Sequence, residues 1–226
     1  MARDERWLSY GWSFVRAALP APPAEVIEIG CGTSGGFVPA LLRDGYVATG
    51  IDPNAPAGPA YRQAEFESYA PPRPADAVVA STSLHHVADL DLVADRLAAA
   101  LRPGGTAVVI EWASESFDEA TARWCFARLP GPAPGDEPGW LWKRRDAWLA
   151  SGKPWPEFHA AWQAEEGLHA GAGVLRRLDE RFSRLSCSYG PYFFSDLAGT
   201  TEADEQAAID AGQIRAAGIR YTGTAR

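Results

Sequence analysis

Glu28 stands two residues before Gly30 in the stretch Val26-Ile27-Glu28-Ile29-Gly30-Cys31-Gly32-Thr33-Ser34-Gly35-Gly36, and Gly30, Gly32 and Gly35 fall on the spacing G-x-G-x-x-G. Glycines at this spacing let a backbone turn tightly and bring bare N–H groups against a ligand at the start of a helix. A dinucleotide uses the same spacing, but a carboxylate at Glu28 would repel a pyrophosphate and attract an ammonium or sulfonium group. Asp52 follows the glycine turn by about 20 residues, where an acid can accept hydrogen bonds from ribose hydroxyls. Farther on, Glu65 can accept from an exocyclic amine while Phe66 stacks on a base or offers its N–H; a surface acid beside a buried ring is the plainer alternative. His85 and His86, and more distantly His169 and His159, are the side chains with an unperturbed pKa suited to general-base work. Packing or helix capping is the plainer account of each, and His159 is the weakest of the four.

These groups need a scaffold that turns short strands into helices. Residues 25–30 form an apolar strand-like run into the turn, and Phe37, Ala40 and Leu41 mark one face of a helix ending near Asp44-Gly45. Val47 to Ile51 reads as a second strand ending at Asp52. Tyr61 to Phe66 can supply a short strand end, and Ala75 to Ala80 is apolar enough for a buried parallel strand running into Ser81-Thr82-Ser83-Leu84-His85-His86. Val87, Leu90, Val93, Ala94, Leu97 and Leu101 recur at helical spacing, with Arg102-Pro103-Gly104-Gly105 predicted to close that helix before a strand from Thr106 to Trp112. Strands alternating with helices predict an α/β fold with a doubly wound, mostly parallel sheet.

Upstream, Trp7, Tyr10, Trp12, Phe14 and Val15 predict an N-terminal helix over residues 1–23, ended by Pro20-Ala21-Pro22-Pro23. Trp7 and Phe14 are read as packing. Tyr10 and Trp12 stay open between packing and a lid over the ligand, and Tyr10 is counted among the candidate cofactor contacts. Downstream, seven of the nine tryptophans lie from Trp112 to Trp162, around the proline-glycine stretch Pro130-Gly131-Pro132-Ala133-Pro134-Gly135. Residues 115–182 are therefore predicted to form a helical cap inserted into a core of residues 24–114 and 183–226. Within the second core segment, Leu185 to Tyr189 and Tyr192 to Phe194 suggest strand. Thr201 to Asp204 resembles a capping box opening a helix through Ile209 and Ile214, and Ile219 to Gly223 is predicted to return antiparallel.

With 226 residues the chain suits one α/β domain with an elaboration. Its formal net charge of -8 disfavours a nucleic-acid partner, since phosphate binding rests on clustered Lys and Arg. No apolar run reaches the length of a membrane span, and the mixed-charge start Met1-Ala2-Arg3-Asp4-Glu5-Arg6 does not read as a secretory signal, so the expected setting is cytoplasmic. Cys31, Cys125 and Cys187 are odd in number and far apart, which suits reduced thiols, and no histidine or cysteine pair has metal-site spacing, so no metal is expected.

Taken together, Glu-Ile-Gly-Cys-Gly-Thr-Ser-Gly, Asp52, Ala-Asp-Ala-Val-Val-Ala-Ser, Leu-His-His-Val and Leu-Arg-Pro-Gly-Gly before a strand resemble the class I S-adenosylmethionine-dependent methyltransferases, in their small-molecule, type 11-like group. The likeness covers about residues 24–114. It implies a Rossmann-like seven-stranded fold and S-adenosylmethionine as cofactor. Glu28 and the Gly30, Cys31 and Gly32 backbone would meet its methionyl part, Asp52 followed by Pro53 its ribose, Glu65 and Phe66 its adenine, and Ser81 and Thr82 the sulfonium side. His85, His86 and His169 are the catalytic candidates. The tetrapeptide of amino-methylating nucleic-acid enzymes is absent after the fourth strand, which with the acidic balance points to a small-molecule or peptide acceptor. A nicotinamide-dependent reductase, or a protein that binds the cofactor without methylating, is the competing reading.

Overall fold

The computed structural model describes residues 3–131 and 138–226. Pro132, Ala133, Pro134 and Gly135, part of the predicted proline-glycine loop, lie outside the described residues. The chain opens with helix α1 (Arg3–Ala18), whose first turn carries Asp4 and Glu5 and whose last carries Arg16, the polarity that complements a helix dipole. Strand β1 (Glu25–Ile29) then leads through the glycine turn into α2 (Val38–Arg43), and β2 (Val47–Ile51) and the short β3 (Tyr61–Arg62) follow. Next come β4 (Ala75–Ser81), α3 (Leu90–Ala99) and β5 (Leu101–Trp112). Helices α4 (Glu119–Phe126), α5 (Trp140–Ser151), α6 (Trp155–Glu165) and α7 (Gly171–Arg181) precede β6 (Phe182–Gly190), α8 (Glu202–Asp210) and β7 (Gly218–Ala225).

The seven strands form one sheet in the order β3-β2-β1-β4-β5-β7-β6. β1 runs parallel to β2 and β4, and β4 to β5, while β7 pairs antiparallel with both β5 and β6. The doubly wound, mostly parallel sheet expected from the sequence is therefore present. Because side chains alternate across a strand, β1 divides its apolar residues between two layers. Val26 joins Val15, Phe37, Val38 and Leu41 beneath α1 and α2, and Ile27 and Ile29 join Val93, Leu97, Val174 and Leu178 beneath α3 and α7. A third cluster gathers Trp112, Phe117, Trp148, Trp155, Trp162 and Phe193 in the tryptophan-rich region. Among the described residues, no helix is long and apolar enough to cross a membrane.

Several boundaries differ from expectation for physical reasons. α3 stops at Ala99, and Arg102 to Gly105 bulge within β5: Ala75 pairs with Leu101 but Ala77 with Thr106. α8 ends at Asp210 rather than beyond Ile214, and Gly212 follows in the left-handed conformation. Tyr192 to Phe194 are not strand. The buried Glu205 carboxylate accepts their three N–H groups at 2.8, 3.1 and 2.6 Å, replacing the ladder partners a strand would have used. Val174, Leu175 and Leu178 bury α7 against the sheet, so this helix belongs with the core layers, whereas α4 to α6 carry the tryptophan cluster.

Candidate functional site

The strand order reverses direction between β1 and β4, and a crevice opens there at the carboxyl ends of the strands, the place where open α/β sheets take ligands. It is a cavity of about 600 Å³ lined by residues that include Gly30, Asp52, Pro53, Phe66, Thr82 and His86. That volume suits a cofactor-sized ligand. A second depression, of about 540 Å³, lies at the opposite ends of β1 and β2 around Glu25, Val47 and Arg73, away from the glycine turn.

The turn is shaped by close approach. Gly30 (φ +73°) has the Ser83 side chain so near that a Cβ would fall 2.4 Å from the Ser83 Cβ, so glycine is required where β1 meets the loop after β4. Asp52 fastens the same turn: its Oδ2 accepts from the Gly32 N–H at 3.0 Å and its Oδ1 from the Asn54 N–H at 2.7 Å. Pro53 follows at the rim. Glu65 and Phe66 both line the cavity, Glu65 exposed and Phe66 buried at the start of a 3-10 turn, Phe66–Ser68. Thr82 has φ +53°, a strained conformation for a β-branched residue, held by its N–H bond to the Ile110 carbonyl at 2.8 Å. Ser81 does not reach the cavity. It is buried, and its Oγ accepts from the Trp7 indole at 3.2 Å.

Three further candidates face elsewhere. Glu28 is almost fully buried, 1% exposed, on the Val26 face of β1, and its Oε1 accepts from the Phe37 N–H at 3.0 Å. A Cβ on Gly36 (φ +57°) would fall 2.3 Å from that oxygen, so the glycine turn closes over the carboxyl group. Burial pushes its pKa up to about 8, against the pull of hydrogen bonds from Phe37 and Val38. Glu28 thus pins the turn to α2 from below, and the expectation that its carboxylate meets a cationic ligand is corrected: the group is buried and does not line the cavity. Cys31 is likewise buried: a Cβ on Gly50 would lie 2.9 Å from its Sγ, and burial, with Glu28 and Asp52 adding to it, pushes the thiol up to about 12. Tyr10 sits under the Arg220 guanidinium, 4.3 Å from its ring centre, and edge-on to Phe194 at 4.8 Å, so it packs α1 and does not line the cavity.

Three of the four histidines, His85, His86 and His169, meet at the 3-10 turn Leu84–His86. His86 lines the cavity, and its pKa is lowered by partial burial and by the neighbouring His85, whose ring centre is 4.1 Å away. His85 is buried and its Nδ1 donates to Glu111 Oε2 at 2.6 Å. Glu111 is wholly buried; burial raises its pKa, but His85 and the N–H groups of Trp112 and Leu84 outweigh that and hold it low. His169 braces the turn twice, its N–H donating to the His85 carbonyl at 3.0 Å and its Nε2 to the Val87 carbonyl at 2.8 Å. His159 is buried against the Ser114 carbonyl in the cap. Glu111 is not among the candidates named from the sequence; the adjacency of β4 and β5 in a parallel sheet, with Ser81 opposite Ile110, is the signal that places it beside His85. Among the described residues, no group of three or more His, Cys, Asp or Glu side chains converges as a metal ion would need.

The methyltransferase domain family model matches residues 5–146. A solved S-adenosylmethionine-dependent methyltransferase from Mesorhizobium loti is 21% identical, with 95% of this chain and 97% of that chain covered at a TM-score of 0.57. A putative S-adenosylmethionine-dependent methyltransferase from Listeria monocytogenes is 16% identical, with 96% and 99% covered at 0.56. The N-methyltransferase NodS from Bradyrhizobium japonicum, in complex with S-adenosyl-L-homocysteine, is 14% identical, with 96% and 86% covered at 0.53. No curated protein matches the chain. With the family matched over more than half its length and the fold shared almost end to end, this chain belongs to the methyltransferase domain family and is an enzyme of the methyltransferase class.

Proposed function

We propose that the chain transfers a methyl group from S-adenosylmethionine to a small-molecule or peptide acceptor at the cavity between β1 and β4. The observation that carries this reading is one cavity, at the switch point of the sheet, that joins Gly30, Asp52, Phe66, Thr82 and His86. The cofactor is S-adenosylmethionine, which when bound supplies a methyl carbon already activated by the sulfonium.

The chain's own task is alignment and exclusion of water. Asp52 has acceptor capacity for ribose hydroxyls beyond its two backbone bonds, and Phe66 with Pro53 offers an apolar wall for the adenine, with Glu65 at its edge. The Gly30 to Gly32 backbone and Thr82 stand on the methionyl and sulfonium side. Glu28 and Cys31 act on this site only by shaping the turn. Of the three catalytic candidates, His86 is the one that faces the cavity, and its lowered pKa keeps it neutral and able to accept a proton near pH 7. His85 and His169 are positioning residues: Glu111 fixes the His85 ring, which lies tilted against His86 with ring centres 4.1 Å apart, and His169 ties down the turn that carries both. The acidic balance supports a partner other than nucleic acid, and three unpaired cysteines suit a reducing, cytoplasmic setting.

Calorimetric titration with S-adenosylhomocysteine tests the assignment. Asp52→Ala is expected to weaken binding by about tenfold or more, the loss of hydrogen bonds to a charged group, whereas His85→Ala leaves it within about threefold. Equal effects of the two substitutions would misplace the ribose site.

A further inference from the structure

Strand β6 closes one edge of the sheet, beyond β7, and no strand among the described residues pairs with its outer side. It is nine residues long, against two for β3 at the opposite edge, so its row of outward N–H and C=O groups is a full template for another strand. Edge strands that stay single are usually guarded by Lys, Pro or an inward charge. β6 has no Lys, no Pro and no acid, and its one charge, Arg184, is held in an ion pair by Asp179 of α7. Two of the six large apolar side chains left exposed among the described residues lie on it, Leu185 at 64% and Tyr189 at 52%.

Both faces of the sheet are notched along this edge. On the α1 face a depression of about 370 Å³ is lined by residues that include Phe14, Ala17 and Ala18 of α1 with Leu185 and Ser186 of β6. On the α7 face one of about 490 Å³ is lined by residues that include Leu175, Arg176, Asp179 and Glu180 of α7 with Arg184 and Tyr189 of β6. The register with β7 slips between Arg184 and Ser186, and this bulge sets Leu185 beside Ser186 on the α1 face, while Cys187 and Tyr189 lie on the α7 face. Successive side chains of a strand laid along β6 would therefore enter the two depressions in alternation.

The charges suit a second copy of this chain as that strand's source. The α7 depression sets Arg176 and Arg184 against Asp179 and Glu180, and the α1 depression has no charged side chain in its lining, so the edge is balanced although the whole chain bears a net charge of -8. Two copies can approach along β6 without the repulsion that an acidic surface would give. An antiparallel pair about a two-fold axis through the middle of β6, at Ser186 to Ser188, keeps like faces together. The α1 depressions of the two copies then adjoin on one face with both Leu185 side chains, and the α7 depressions adjoin on the other with both Tyr189 side chains. Arg176, which has no ion pair among the described residues, lies on that second face, where the other copy brings Asp179 and Glu180.

We propose that β6 is a dimer interface, at which two copies of this chain pair antiparallel and join their sheets into one. The cavity between β1 and β4 lies away from this edge, so each protomer keeps its own site.

The experiment uses the full chain. Sedimentation velocity between about 1 and 100 µM, the range in which an interface of micromolar affinity assembles, should show a species of twice the mass of one chain. Leu185→Lys combined with Tyr189→Lys should raise the dissociation constant about a hundredfold or more, the scale of two apolar side chains lost from the interface, with far-ultraviolet circular dichroism reporting that the variant is folded. Cys187 supplies a second readout that needs no such variant. Cys31 and Cys125 are buried, so a short bis-maleimide should join two copies through Cys187 alone, and Cys187→Ser should abolish the product. If the double variant does not fold, the cross-link decides. A chain that stays monomeric up to about 100 µM, a dimer that the double lysine variant leaves intact, or a dimer in which Cys187 does not cross-link overturns the inference.

Discussion

Replacing Glu28 by glutamine isolates the physics of the glycine turn. The carboxyl group is buried beneath Gly36, with one oxygen bonded to the Phe37 N–H and the other, Oε2, without a partner. Its pKa rises from an ordinary 4.5 to about 8, chiefly through burial. In the unfolded chain the proton leaves near pH 4.5; in the folded chain it stays until about pH 8, so between those values the folded state holds more protons. The resulting stabilisation is fully present below about pH 4.5 and is lost as pH rises through about 8. At about 1.4 kcal/mol per pH unit, this one group can remove up to about 5 kcal/mol across that window. Glutamine keeps the acceptor for Phe37 and does not titrate, at a cost of about 1 to 3 kcal/mol for its unpartnered amide. Urea denaturation of the ligand-free protein at pH 5, 6, 7 and 8 should therefore show Glu28→Gln slightly less stable than the parent at pH 5 and at least as stable at pH 8. The difference between the two proteins should close or change sign by about 2 to 5 kcal/mol. Parallel pH profiles would refute the reasoning, because they would mean that Glu28 is already ionised in the folded protein at pH 5.

Two other substitutions probe the supports of the site. Gly36→Ala combines a left-handed backbone with a Cβ 2.3 Å from Glu28 Oε1 and should cost about 2 to 4 kcal/mol in denaturant unfolding; a loss below about 0.5 kcal/mol would show that the turn is not closed over the carboxyl group. Glu205→Ala orphans three buried N–H groups and should cost about 3 kcal/mol or more. It should also weaken the near-ultraviolet circular dichroism from the stacked Trp112 and Tyr192 rings, and an unchanged spectrum would contradict the anchoring role.

How much of this was legible in the sequence follows from which interactions are local. The strand, glycine turn, helix, strand and acid from Glu25 to Asp52 are readable because parallel strands buried on both faces write continuous apolar runs and because Gly30 must turn where a side chain would clash. Spacing alone located Glu28 but not its direction. Its position two residues after Val26, on the same strand face, which packs towards α2, was the available clue that it points away from the cavity. The antiparallel return of β7 was legible, yet the loop at Tyr192 to Phe194 read as strand, since its aromatic composition is strand-like and its true partner, Glu205, lies in a later helix. The Glu111 and His85 pair depends on two strands meeting in register across 26 residues, information that single-element periodicity does not hold. The tryptophans of the cap were readable as a cluster; that Trp155 would be fully buried with its indole on the Phe117 carbonyl at 2.7 Å was not, because helix α6 meets residue 117 only through tertiary packing.

The central claim is that the cavity at the β1 and β4 boundary is built for S-adenosylmethionine rather than for a dinucleotide, and ligand-dependent unfolding of the purified protein tests it most directly. A ligand at 100 times its dissociation constant stabilises the native state by about 2.7 kcal/mol, which for a chain of this size raises the midpoint by about 5 to 10 °C. The account predicts such a rise with S-adenosylmethionine and with S-adenosylhomocysteine, and none with NAD. A rise with NAD alone would contradict it.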